Sequence, residues 1–173
     1  FGFVNDQINH YGNIFDETSL AEEIDFLRSK GAQVFISFGG PTFSYKNILK
    51  SDNQVAQFIA ALNTRIGLYK LDGVDFRHIL PDSSAIMIML IKQLRLSNPS
   101  VKIMYSIPAF GSKLAPWSHV ADAVFAQVDY LQVNVYDFDY SHHDVRAEFR
   151  RLSTLGVPYE RIVYGVMPGA HDY

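Results

Sequence analysis

The segment Leu71-Asp72-Gly73-Val74-Asp75-Phe76-Arg77-His78-Ile79-Leu80-Pro81 carries the most chemically loaded spacing in the chain. Its composition reads as a strand, and alternate residues of a strand face the same side. Asp75, Arg77 and Ile79 therefore share one face, and His78 falls on the other. Asp75 brings a carboxylate to that face. Arg77 brings a permanent cation that donates hydrogen bonds and accepts none. Ile79 brings no titratable proton. Two roles for Arg77 follow: an internal ion pair with Asp75, or a guanidinium that binds a ligand.

Other groups with chemical potential are scattered. Asp82 lies just beyond Pro81, and Tyr136, Asp137 and Asp139 lie together in Val133-Asn134-Val135-Tyr136-Asp137-Phe138-Asp139. His142-His143, near Asp139 and Asp144, has a metal-like composition but not the i, i+4 spacing of a helical ligand pair. It reads as a solvated helix start, so no metal site is expected. No phosphate-binding loop or G-x-S-x-G nucleophile elbow is present.

The elements that must position these groups alternate regularly. Strands are expected over Phe1–Asn5, Gln33–Phe38, Gly73–Ile79, Val101–Ile107, Tyr130–Tyr136 and Arg161–Met167. Helices are expected over Ser19–Lys30, Asn53–Tyr69, Ser83–Leu96, Trp117–Ala126 and His143–Leu155. Val55, Phe58, Ile59, Leu62 and Ile66 line one face of the second helix. Asp16 or Ser19 is suited to cap the first helix and Gly31 to stop it. About six strands and five intervening helices point to an α/β protein with parallel crossovers. Periodicity leaves two architectures open: an open doubly wound sheet, or part of a (β/α)8 barrel. The absence of G-x-G-x-x-G after the first strand argues against dinucleotide binding.

Composition narrows the function classes. The 173 residues are 48% hydrophobic and 19% charged, enough for one domain with a sizeable core. Fifteen basic against eighteen acidic residues leave no polybasic footprint, so nucleic acid is not an expected partner. The absence of cysteine rules out disulfides, thiol catalysis and thiolate metal sites. The longest apolar run, Ile86 to Ile91, is far shorter than a membrane-spanning helix, and no membrane partner is expected. Phe1-Gly2-Phe3-Val4 starts directly as a strand, which leads us to expect sequence upstream of it.

Several motifs in order resemble glycoside hydrolase family 18, the chitinases and chitinase-like lectins. Asp72, Gly73, Asp75 and Pro81 match the family pattern D-G-x-D-x-D-x-E-x-P. Val34 to Gly40 (VFISFGG) is similar to its S-x-G-G strand, and Tyr105 to Phe110 (YSIPAF) to the strand after the catalytic one. Val133 to Phe138 (VNVYDF) resembles the strand with the Tyr-Asp pair, and Ile162 to Pro168 (IVYGVMP) a late strand. The resemblance implies a (β/α)8 TIM-type barrel, incomplete here, running from the second to the seventh strand as a single partial domain over residues 1–173. It implies two raw strand edges, at Phe1–Asn5 and Ile162–Met167, for a partner segment or chain to complete.

The resemblance also implies a site at the C-terminal ends of the strands. The family's catalytic positions are Asp75, Arg77, Ile79 and Tyr136. Its sugar-binding positions are Phe3, Gly40, Asp75, Tyr136, Asp137 and Met167. The expected partner is a glycan containing N-acetylglucosamine, with no cofactor, in a secreted or extracytoplasmic compartment. Family chemistry uses a Glu to protonate the glycosidic oxygen and the acid before it to orient the substrate's own acetamido nucleophile. Here Ile79 and Arg77 occupy those two positions. The expectation is a carbohydrate-binding protein without hydrolysis. Two alternatives stay open: an active chitinase or endo-N-acetylglucosaminidase with a displaced acid such as Asp137, or an interaction module that binds no sugar.

Overall fold

A computed structural model describes residues 17–39, 50–77, 84–108, 124–134, 145–154 and 156–165. The elements run α1 (Glu17–Ser29), β1 (Phe35–Gly39), α2 (Asp52–Tyr69), β2 (Gly73–Arg77), α3 (Ser84–Ser97), β3 (Lys102–Pro108), β4 (Tyr130–Asn134), α4 (Val145–Thr154) and β5 (Ile162–Gly165). A short 3-10 turn, Tyr159–Arg161, precedes β5. The five strands form one sheet in sequence order, and every pairing is parallel. Each expected element that falls in the described residues is present, with ends shifted by one or two positions. The expected strand at Phe1–Asn5 lies outside them, as does most of the expected helix at Trp117–Ala126.

Local sequence explains where α2 begins. Ser51 is its N-cap, and its hydroxyl accepts from the Gln54 amide. Gln54 Oε1 in turn accepts from the Lys50 amide at 2.8 Å. The Ser51 hydroxyl thus satisfies one amide that the first helical turn leaves open, and the Gln54 side chain folds back onto the chain just ahead of the cap. The helix then buries Val55, Phe58, Ile59, Leu62 and Ile66, the stripe expected from helical spacing.

The helices cover one face of the sheet. Phe38, Val74, Phe76, Ile103 and Val133 are fully buried there, with Tyr105, Ile107 and Leu131 nearly so. They pack in one core with the α2 stripe, with Met87, Leu90, Ile91 and Leu94 of α3 and with Leu152 of α4. Phe38 meets Phe58 edge to face, ring centroids 5.3 Å apart. Burying each such side chain contributes about 1.5–3 kcal/mol. An exposed ion pair contributes about 0–1 kcal/mol. The apolar layer therefore dominates the stability of the sheet.

The opposite face is concave. Phe35 on β1 and Tyr130 on β4 are three strand spacings apart, roughly 14 Å along a flat sheet. Their rings nevertheless lie 6.1 Å apart at 76°. The sheet curls toward this face, as a barrel wall does. Gly73 makes the contact possible: a Cβ there would stand 2.2 Å from the Phe35 ring and 2.6 Å from the Lys102 carbonyl oxygen.

The N-terminal edge of the sheet is held by a repeated device. Asp72, just before β2, accepts from the Val34 amide at 2.8 Å and from Arg28 of α1 at 2.7 Å. Asp129, just before β4, accepts from the Ile103 amide at 2.8 Å and from Arg95 of α3. Arg28 also donates to the Lys70 carbonyl, and Arg95 to the Val101 carbonyl. In each case a carboxylate and an arginine tie a helix C-terminus to two adjacent strands. Burial alone would raise the Asp129 carboxyl. The Ile103 amide, the Arg95 guanidinium and the Lys102 ammonium together outweigh burial and hold it below the usual carboxylate range.

Two outcomes follow. Gly73→Ala is expected to cost about 1–3 kcal/mol through overpacking against the Phe35 ring and backbone, measured by urea unfolding. Because the folded state depresses the Asp129 carboxyl, its contribution is full above the unfolded carboxylate range and is lost as pH falls through the depressed value. Arg95→Ala should lower stability by about 1 kcal/mol near neutrality, discounted for partial exposure, and flatten the acid limb of the stability–pH curve.

Candidate functional site

The register of the sheet defines rows across the concave face. Ser37, Asp75, Met104 and Tyr130 form one row. Gly39, Arg77, Ser106, Gln132 and Val163 form the next, nearer the C-terminal ends of the strands. Asn134 and Gly165 belong to the row beyond, with Pro108. Asp75 and Arg77 thus share the inward face, as strand alternation requires. The helix-facing residues between them, Val74 and Phe76, are fully buried on the other side.

Asp75 is buried, with 8% of its surface exposed. Its two carboxylate oxygens accept from two hydroxyls: Ser37 Oγ at 2.7 Å and Ser106 Oγ at 2.5 Å. Burial pushes the Asp75 carboxyl up. The Ser106 and Ser37 hydroxyls and the charge of Arg77 pull it down without cancelling that effect. Neither serine was singled out from the sequence, although both lie inside motif strands. Each is a small polar residue at an inward position of a largely apolar strand, a signal that counting alternate positions exposes.

An ion pair between Asp75 and Arg77 was one expected role for the arginine. The hydrogen bonds on Asp75 come instead from the serines, and Arg77 acts on it as a neighbouring charge. The reason is distance along the strand. Ser37 is directly across from Asp75 and Ser106 is diagonal to it. Arg77 starts two residues higher, about 6.6 Å along β2, and its charged end lies on a long stem.

Beyond this row, amides replace carboxylates. Gln132 Nε2 donates to Asn134 Oδ1 at 2.7 Å, and Asn134 is 1% exposed. Gly165 leaves the space for this pair: a Cβ there would stand 2.4 Å from Asn134 Oδ1. Gln132 and Asn134 were also not singled out in the sequence. Asp72, which opens the catalytic-strand pattern, holds the N-terminal edge of the sheet and lies away from this cluster.

Of the expected site residues, Asp75 and Arg77 are brought together on the concave face. Phe3, Gly40, Ile79, Tyr136, Asp137 and Met167 lie outside the described residues, as do His78, Asp82, Asp139, His142 and His143. Among the described residues, no group of three His, Asp or Glu side chains could hold a metal ion.

Comparison with known proteins places this geometry. Solved structures of chitinases share the fold. A catalytic domain of the Group II chitinase of Ostrinia furnacalis superposes with a TM-score of 0.74 at 16% identity, covering 96% of this chain and 54% of that one. A Rhizomucor miehei chitinase gives 0.72 at 20% identity, with 96% and 60% covered. The class V chitinase of Nicotiana tobaccum gives 0.71 at 16% identity, with 96% and 58% covered. The chain thus spans a little over half the length of these proteins, and its sheet corresponds to part of a TIM-type barrel. No curated protein matches the sequence. The model of the family "Glycosyl hydrolases family 18" matches residues 1–166, and the chain therefore belongs to that family.

Proposed function

We propose that this family 18 chain is a chitinase-like carbohydrate-binding protein that does not hydrolyse its ligand. The observation that carries the reading is the inward position of Arg77, one row beyond the buried Asp75 and in register with Ser106. At that position the family pattern has an acid that accepts the substrate's acetamido N–H. A guanidinium has donors only and cannot take that part. The sequence then puts Ile79 at the proton-donor position. General acid catalysis contributes about 10²–10⁴-fold, and an isoleucine supplies none of it.

Glycan binding asks less than hydrolysis. The Ostrinia furnacalis domain is a glutamate-to-leucine mutant in complex with a penta-N-acetylated chitooligosaccharide. A second solved structure of the Nicotiana tobaccum enzyme is a glutamate-to-glutamine mutant in complex with an N-acetylglucosamine tetramer. In both, sugar is bound by a protein altered at a glutamate. On this reading Tyr136, Asp137, Gly40, Phe3 and Met167 complete the sugar site around Asp75, and the ligand is a glycan containing N-acetylglucosamine.

The test is binding and turnover on one sample. Calorimetric titration of the chain with tetra-N-acetylchitotetraose should show saturable heat. Chromatography of the same mixture after prolonged incubation should show intact tetramer. Arg77→Asp combined with Ile79→Glu is expected to raise cleavage by about 10²-fold or more over the unaltered chain. Ready cleavage by the unaltered chain would sink the loss of hydrolysis, and the absence of any binding would sink the sugar site.

A further inference from the structure

Large apolar side chains left in solvent are not spread evenly over the molecule. Among the described residues they are Phe26, Leu27, Leu68, Leu96 and Tyr159, each between 41% and 78% exposed. Phe26 and Leu27 stand in the last turn of α1, Leu68 in that of α2 and Leu96 in that of α3. Tyr159 opens the turn that precedes β5. The sheet is wholly parallel, so the ends of these helices and the starts of the strands share one edge. All five side chains therefore belong to the N-terminal edge, opposite the polar cluster of the concave face. Single scattered hydrophobics need no explanation, but a set gathered at one end marks a contact surface.

The same edge is cationic. Arg28, Lys30, Lys70, Arg95, Lys102 and Arg161 stand along it, against Asp25, Asp72, Asp129 and Glu160. The whole chain has a net charge of −3, so the edge opposes the sign of the molecule. Lys30 Nζ sits 5.4 Å over the Phe26 ring, and the Lys70 side chain, two residues beyond Leu68, is 71% exposed. The helix dipole accounts for cations at these ends, but it gives no reason for exposed Phe and Leu beside them. Ends of packed helices stand about 8–10 Å apart, so the apolar tips are separated by cations and do not merge into one patch. A protein partner needs a continuous patch of about 800 Å² on each side. A bilayer surface is fluid and takes separate apolar side chains one by one, while anionic headgroups meet the lysines. A second copy docked through the same edge would set cations against cations.

We propose that the N-terminal edge of the sheet is a peripheral contact surface for an anionic lipid bilayer. Among the described residues no helix is long and apolar enough to cross a membrane, so the contact is with the bilayer surface. The sequence expectation of no membrane partner rested on spanning length alone. In this orientation Phe26, Leu27, Leu68, Leu96 and Tyr159 enter the headgroup region, and Lys30 and Lys70 meet the lipid phosphates. The C-terminal ends of the strands then face away from the bilayer, and the inference does not depend on the sugar-binding reading. Each lysine near such a surface corresponds to about 5-fold in partitioning. Added salt weakens that part of the binding by screening.

The experiment is vesicle flotation in about 0.1 M salt. One set of vesicles is phosphatidylcholine, and in the other about 30% of the lipid is phosphatidylserine. The chain is expected to float with the anionic vesicles and to stay behind with the neutral ones. Phe26→Ser combined with Leu68→Ser and Leu96→Ser should lower retention on the order of 10-fold. Lys30→Gln combined with Lys70→Gln should lower it by a similar factor, on the order of 10-fold. All five positions are exposed, so thermal unfolding of both variants should match that of the unaltered chain. The lysine variant carries the test if the apolar one fails to fold. No retention on anionic vesicles, or equal retention on both kinds, overturns the inference. Retention that the apolar substitutions leave unchanged, matched by equal binding to soluble polyglutamate, overturns the lipid in favour of a polyanion. A dimer in sedimentation velocity that the apolar substitutions abolish, without vesicle retention, assigns the edge to a second copy and overturns it as well.

Discussion

The alternation of β2 beneath its covering helices is the constraint from which the rest of the structure follows. Val74 and Phe76 are fully buried against the helical layer, and Gly73, Asp75 and Arg77 point the other way. A slip of one residue would exchange the two sets. Two fully buried apolar side chains would be exposed, at about 1.5–3 kcal/mol each. A carboxylate and a guanidinium would enter the apolar layer, at several kcal/mol per ion. No polar contact on the concave face is strong enough to oppose that sum. The position of the functional groups is thus a consequence of burial on the opposite side, and the chemistry of the concave face is free to change without changing the fold.

The two ends of the sheet divide the work. At the N-terminal edge, Asp72 with Arg28 and Asp129 with Arg95 fasten helix ends to strand starts. Above them, Phe35 and Tyr130 close across the concave face. This lower part fixes curvature. The polar cluster begins at Ser37 and Asp75 and continues toward the C-terminal ends of the strands, the face on which barrels of this type carry their function. Gly73 and Gly165 serve these two halves differently. One admits an aromatic ring into the floor, and the other admits an amide pair into the site.

Much of this was legible in the residues. The helical stripe of Val55, Phe58, Ile59, Leu62 and Ile66 announced α2, and strand alternation alone placed Arg77 beside Asp75 on the inward face. The family motifs chose a barrel where periodicity left a doubly wound sheet equally open. The partners of Asp75 were not legible. Ser37 and Ser106 are 38 and 31 residues away in sequence, and only the register between strands brings them to it. Gln132, Asn134 and Gly165 form a unit for the same reason. Inter-strand register is set by packing of the whole sheet, which a single segment does not encode. Arg77 shares the inward face with Asp75 and acts on it as a neighbouring charge, while the hydrogen bonds on Asp75 come from short serines one strand away.

The family pattern carries an acid at position 77, and this chain carries arginine. An acid at that place accepts hydrogen bonds, whereas a guanidinium only donates them. With arginine there, the row holds no anionic acceptor among the described residues. Asp75 cannot act as the replacement, since its oxygens are committed to hydroxyls one row below and its burial disfavours the charged form. The sign of the side chain at position 77 is thus opposite to that of the family pattern, while the sheet that carries it is kept. The apolar layer behind β2 tolerates that reversal because Arg77 never touches it.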